Sequence, residues 1–232
     1  PILLVMVIVG LVVIQPDLGT ASIIFLIALL IFYAVPVEKK SRSIFNKIFL
    51  GILLVISLVL ITTKGSFLQD YQLERFNFID PCERYQEDSG YQLCNSFIAF
   101  KNGGLNGQGI GKSTQKYLYL PESYTDFIFP IIVEEWGLIV GVIIICLYLF
   151  VLFRIIKVAR RASNLQNSLI CYGVFAYMLT HIAVNLMGVM GLIPLTGVPL
   201  PFLSYGGSYT ICLLVALGLV QRSSIESAKL HK

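Results

Sequence analysis

Six apolar runs constrain this 232-residue chain more than any other feature: Pro1 to Ile14, Thr20 to Val35, Ile44 to Thr62, Phe127 to Phe153, Ser168 to Met190 and Phe202 to Val220. Most approach the roughly 20 residues that a helix needs to cross about 30 Å of hydrocarbon. The pattern predicts an all-α polytopic membrane protein of about six transmembrane helices, forming a single transmembrane domain over residues 1–232. Composition agrees, with 56% hydrophobic residues, 13% charged residues and a mean hydropathy of +0.81. An ordinary soluble domain carries about a quarter charged residues. The first run is short and lacks both an initiator Met and the basic start of a signal peptide, so the chain reads as a fragment.

The net charge of +4 does not point to nucleic acid, because the basic residues flank the spans. Eleven of the seventeen Lys and Arg lie in Val37 to Lys47, Arg154 to Asn167 and the tail after Gln221, three segments that six spans place on one side. That side is expected to be cytoplasmic. The loop from Thr63 to Asp126 then faces outward, with six basic and eight acidic residues. A loop of about 60 residues is long enough to be functional or to hold structure of its own. Within it, Leu93, Phe97 and Phe100 share a helical face over Tyr91 to Phe100, which fits either a helix lying on the membrane or one packed against the spans.

Cys82 and Cys94 share the outer loop, where an oxidising exterior permits a disulfide but two cysteines do not establish one. Cys146, Cys171 and Cys212 fall in spans and read as small apolar packing residues. The segment Gly103 to Gly111, followed by Lys112 and Ser113, invites a phosphate-loop reading that fails: Asn106 stands where the first glycine is required and no strand precedes it. The glycines serve either a flexible loop or a close approach of backbone to a ligand or the membrane. In Gln15 to Thr20, Pro16 breaks a helix and Asp17 can cap the next. The prolines of Gly191 to Ser208 imply irregular backbone, forming either a pocket wall or an outer turn.

Tyr119 to Gly137 delivers Asp126 to the start of an apolar run. A carboxylate there can cap the helix, and it can also serve as a general base where water meets lipid. Glu134 and Glu135 lie about two turns further on, where a charge must be paired or hydrated. They either border a cavity with Asp126 or pair with neighbouring helices.

Four stretches in this order, QPDLGT (Gln15 to Thr20), GQGIGKSTQK (Gly107 to Lys116), Tyr119 to Gly137 and TGVPLPFLSYGGS (Thr196 to Ser208), resemble the SEDS family of bacterial shape, elongation, division and sporulation proteins, most of all its division members. The resemblance implies a ten-helix fold, of which this chain is similar to the C-terminal six with the large extracellular loop between its third and fourth spans. It implies a peptidoglycan glycosyltransferase that polymerises lipid II at the bacterial cell membrane, at the division septum, with a divalent cation such as magnesium or manganese. It also implies a class B penicillin-binding transpeptidase and other division proteins as partners. Asp126 matches the family's catalytic aspartate and is a candidate metal ligand. Lys112, Lys116, Glu134 and Ser204 are candidate substrate-binding residues. Tyr124 departs from the histidine common before the T-D pair, and Trp136 from the usual leucine. A lipid flippase, with Glu134, Glu135, His181 and Asn185 along its path, and a non-catalytic scaffold are the competing readings.

Overall fold

The computed structural model describes residues 2–15, 17–36, 40, 42–43, 45–47, 49–51, 79–86 and 88–230. Most of the expected span Ile44 to Thr62, and residues 63–78 of the loop after it, lie outside these. All regular structure among the described residues is helical: α1 (Ile2–Ile14), α2 (Leu18–Ala34), α3 (Asp88–Gly103), α4 (Gln115–Leu118), α5 (Ile128–Trp136), α6 (Leu138–Arg161), α7 (Leu165–Val189) and α8 (Gly207–Leu230). Helices α6, α7 and α8 are long and apolar enough to cross a membrane, whereas α1 and α2 are shorter apolar helices.

Helix α7 is the hub. Half of its most apolar stretch is buried inside the protein, against 22% for α6 and α8, and it packs on α2, α5, α6 and α8. Its polar interior residues Thr180, His181 and Asn185 are buried with Met178 and Ile182. The helices α6 and α8 instead expose Ile139, Ile143, Leu147, Phe150, Ile211 and Leu214, an apolar density that calls for lipid or further protein to cover it.

Contacts orient the bundle. The start of α2 meets the segment after α7, because a Cβ on Gly19 would stand 2.9 Å from the Thr196 carbonyl oxygen. Its far end meets the start of α7, where the corresponding point on Gly173 lies 3.7 Å from Ile31. Ser163 N–H donates to Ser227 Oγ and Asn167 to Glu226, which joins the α6–α7 turn to the end of α8. Asp17 accepts from the Thr20 N–H at 3.0 Å and the Thr20 hydroxyl at 2.6 Å, closing the first turn of α2 as a cap.

The run Phe127 to Phe153, expected as one span, is two helices broken at Gly137, whose φ is +85°. The break is filled by the glycine segment of the loop that follows α3. Gln108 N–H donates to the Glu134 carbonyl and Gly109 N–H to that of Glu135, both at 2.9 Å, while Leu138 N–H donates to Gly104 O at 2.9 Å. Carbonyls that end α5 and an N–H that begins α6 thus find partners in a loop instead of in water. Backbones approach so closely that a Cβ on Gly103 would stand 2.1 Å from Val133 O, one on Gly107 2.3 Å from Glu135 O, and one on Gly137 2.2 Å from Leu105 O. The glycines therefore allow close backbone approach; this is not a flexible loop.

Helix α3 resolves the other open choice by packing against protein. Leu93 is buried, Ser96 donates to Val189 O at 2.8 Å, and Phe97 leaves no room for a side chain on Gly191. A disulfide joins Cys82 to Cys94 at the start of this helix. Cys171 is buried in the core, while Cys146 and Cys212 lie on the exposed surface of the bundle.

Replacing Gly107 by alanine must push the two backbones apart and hold a side chain at a φ of +79°. We expect Gly107→Ala to cost about 1–3 kcal/mol, read as a lower midpoint of thermal unfolding in detergent; an unchanged midpoint would mean that the loop is not docked as described.

Candidate functional site

The site forms where the turn before α5 and the proline segment after α7 meet at the end of α7 that carries Asn185. The turn Pro121 to Phe127 enters α5 with Glu122 at a φ of +55°, a conformation disfavoured for a residue with a side chain. That turn is held from within: the Glu122 carbonyl accepts from Thr125 N–H at 3.1 Å and Phe127 N–H at 3.3 Å. The Thr125 hydroxyl lies 2.9 Å from Glu122 Oε2 and 2.7 Å from Asp126 Oδ1. Phe127, not Asp126, takes the N-cap position, and Pro130 falls in the first helical turn, where its missing N–H costs nothing. Asp126 is half-buried just before the start of this short helix.

Asn185 on α7 clamps this turn to the proline segment. Its Nδ2 donates at 2.7 Å to the carbonyls of both Asp126 and Val198. Ser204, buried in the same segment, donates to Thr125 O and accepts from Leu200 N–H at 2.7 Å. Tyr148 donates to Pro201 O, and His181 Nδ1 lies 3.4 Å from Pro199 O. Irregular backbone in a membrane protein must be satisfied by protein or by a wet cavity, and here side chains of α6 and α7 serve the carbonyls of residues 198, 199 and 201. Gly197, at a φ of +69°, brings that backbone against the catalytic candidate: a Cβ there would lie 3.8 Å from Asp126 Oδ2. Ser204 thus acts on Asp126 through the backbone of Thr125. Asn185 was foreseen only as a polar group along a span; its clamp depends on contacts 59 and 13 residues apart, which no local pattern shows.

Glu134 and Glu135 find their partners elsewhere, in the glycine loop. Glu134 has no exposed surface and accepts from Asn102 Nδ2 and Thr114 Oγ1 at 3.1 Å, from Gln115 N–H at 3.3 Å and from Ser113 Oγ. Glu135 pairs with Lys116 at 2.6 Å, a hydrogen bond that raises the lysine's pKa above its ordinary value. Lys116 and Glu134 therefore hold the glycine loop to α5, which leaves little of either for a substrate. Lys112 is exposed, its side chain lying over Gly109. Among the described residues no three His, Cys, Asp or Glu side chains converge as a metal cage.

Helices of membrane-spanning length, a break between α5 and α6 and a half-buried carboxylate where two irregular segments meet α7 define a polytopic membrane protein with an acidic site at the edge of its helical bundle. The family description "Cell cycle protein" (FTSW_RODA_SPOVE) matches residues 1–229, and the chain belongs to that family. Among similar proteins are the "Probable peptidoglycan glycosyltransferase FtsW" of Bacillus subtilis (strain 168), 37% identical over 97% of this chain and 56% of the relative, and the "Stage V sporulation protein E" of the same organism, 36% identical over 89% and 54%. A solved structure described as "Structural coordination of polymerization and crosslinking by a peptidoglycan synthase complex" aligns with a TM-score of 0.73 at 28% identity, over 98% of this chain and 61% of that one. The rod shape determining protein RodA of Thermus thermophilus, as its D255A mutant, aligns with a TM-score of 0.57 at 27% identity, over 95% and 54%. The chain spans little more than half the length of the curated relatives it matches.

Two expectations follow. Asn185→Ala removes the donor shared by two buried carbonyls and should cost about 1–3 kcal/mol, with Asn185→Asp no better because an ionised carboxylate cannot donate. Unfolding midpoints equal to the unsubstituted protein's would contradict the clamp. Glu134→Ala should free the segment around Lys112 and Lys116 for tryptic cleavage, which a Lys101→Ala control should not; equal resistance in both would show that the loop is held by other means.

Proposed function

We propose that the whole protein of which this chain forms part is a peptidoglycan glycosyltransferase that polymerises lipid II, with Asp126 as its general base. The observation that carries this reading is the placement of Asp126: a half-buried carboxylate at a helix start, gripped through its own backbone carbonyl and through Thr125, at the border between a polar loop and an apolar bundle. Names printed for similar proteins supply the reaction class.

In the proposed step the Asp126 carboxylate takes the proton of a sugar 4-hydroxyl as that oxygen attacks the donor's anomeric carbon. The bond from that carbon to the lipid diphosphate breaks, and the diphosphate departs with the electron pair. The donor's tail stays in the bilayer, so the reacting atoms lie near the outer lipid boundary, where this reading puts Asp126. The disulfide supports an outward-facing loop, since such bonds persist in oxidising surroundings.

A divalent cation, magnesium or manganese, belongs to this reading. Asp126, beside Gly197, is the carboxylate that would share it with substrate, and Asp17, at the head of the helix whose Gly19 meets Thr196, is the nearest further candidate named by these contacts. Magnesium is commonly held by one or two carboxylates together with substrate phosphates. When bound, it would neutralise charge on the leaving diphosphate. A transpeptidase partner is supported by the crosslinking named in the description of the similar synthase complex, and action at the division septum by the division-type relatives. The flippase reading gains no support, because Glu134, Glu135 and Asn185 have their hydrogen bonds inside the protein instead of along a path.

Full-length protein carrying Asp126→Asn should enter the membrane normally and yield no glycan strands from labelled lipid II, a loss of at least about a hundredfold. Strands formed at the unsubstituted rate would remove Asp126 from the chemistry.

A further inference from the structure

Two large rings are displayed beside Asp126 although the backbone that carries them is among the most firmly held in the protein. Tyr205 is 77% exposed and Tyr124 58%. Their centroids lie 6.0 Å apart with the planes at 78°. Tyr205 N–H donates to Tyr124 O at 2.8 Å, so the two segments are stitched together at the residues that carry the rings. On either side the chain is buried, at Ser123 and at Ser204, and Ser204 reaches Thr125 O. Thr125 in turn donates to Asp126 Oδ1 at 2.7 Å, so ring and carboxylate stand on consecutive parts of one braced turn.

We propose that Tyr124 and Tyr205 form a platform that binds a sugar ring of the acceptor strand beside Asp126, an inference that rests on the glycosyltransferase reading above. The face of a hexopyranose presents C–H groups and its rim presents hydroxyls. An edge-to-face tyrosine pair offers the matching surfaces: aromatic area for the face and phenolic oxygens for the rim. Charge points the same way. Residues 117–153 and 162–221, which supply Asp126, the two rings and the segments that brace them, contain no Lys or Arg. Side chains of these segments therefore cannot pair with a diphosphate, whereas the aromatic pair suits the uncharged face of a sugar. The half-buried aromatics nearby differ: Tyr209 and Tyr177 pack at a tilt on His181, at 5.0 and 4.6 Å between centroids, and so are committed to a cluster within the protein.

The test uses full-length protein in lipid nanodiscs and two probes. A soluble tetrasaccharide of alternating N-acetylglucosamine and N-acetylmuramic acid reports binding without turnover, by saturation-transfer NMR; labelled lipid II reports polymerisation. Tyr124→Leu and Tyr205→Leu should weaken tetrasaccharide binding and raise the half-saturating lipid II concentration by roughly tenfold, with kcat within about twofold and shorter strands. Tyr205→Trp should keep both near the unsubstituted values. Unchanged binding in the leucine variants would overturn the platform, as would a fall in kcat alone. Failure of the tryptophan variant together with the leucine variants would also overturn it, since that marks a packing role. Tetrasaccharide binding that depends on the tyrosines, in a protein that makes no strands, would sustain the platform and sink the glycosyltransferase reading instead.

Discussion

A carboxylate with no exposed surface must be hydrogen-bonded or neutralised, because burying the bare charge costs many kcal/mol. Glu134 meets that demand with donors from Asn102, Ser113, Thr114 and Gln115, all delivered by the long loop that precedes α5. The loop can reach it only because Gly103, Gly107 and Gly137 remove the side chains that would hold the two backbones apart. Once docked, the loop fixes the end of α5, while Asn185 and Ser204 fix its approach. Asp126 stands at the start of a nine-residue helix secured at both ends. A flexible connection at either point would let the carboxylate wander by more than a catalytic hydrogen bond tolerates.

Apolar runs showed the bundle in the sequence because hydrophobic length is a property of the local chain. Helix α2 with its Asp17 cap, and the long helices α6, α7 and α8, needed nothing more. The break at Gly137 stayed hidden, since a re-entrant helix followed by a span is as apolar as one long span; only the pairing of Gly104 and Gln108 with residues 138 and 134 separates them. Asp126 stood out because a lone charge at the edge of an apolar run has few bland explanations. Glu134 and Lys116 carried the same kind of signal and proved to hold the loop. Charge in an apolar setting says that a partner exists, without saying whether that partner is substrate or protein.

The charge balance of the site describes what this chain supplies and what must come from elsewhere. Asp126 and Asp17 bring negative charge to the turn at Thr196 and Gly197, and Lys116 is held by Glu135. A diphosphate leaving group needs positive charge beside it. In the proposed reaction that charge falls to a cation or to regions of the protein beyond these residues, which accords with a chain that spans little more than half of its curated relatives. In that proposal the aromatic pair and the acid are this chain's contribution to handling the sugar.

A structure of the full-length protein with a non-transferable lipid II analogue in the acceptor position tests the central assignment most directly. The account predicts the Asp126 carboxylate within about 3 Å of the sugar 4-hydroxyl, or linked to it through a single water. An acceptor hydroxyl facing a different acid, with Asp126 walled off behind the proline segment, would contradict it.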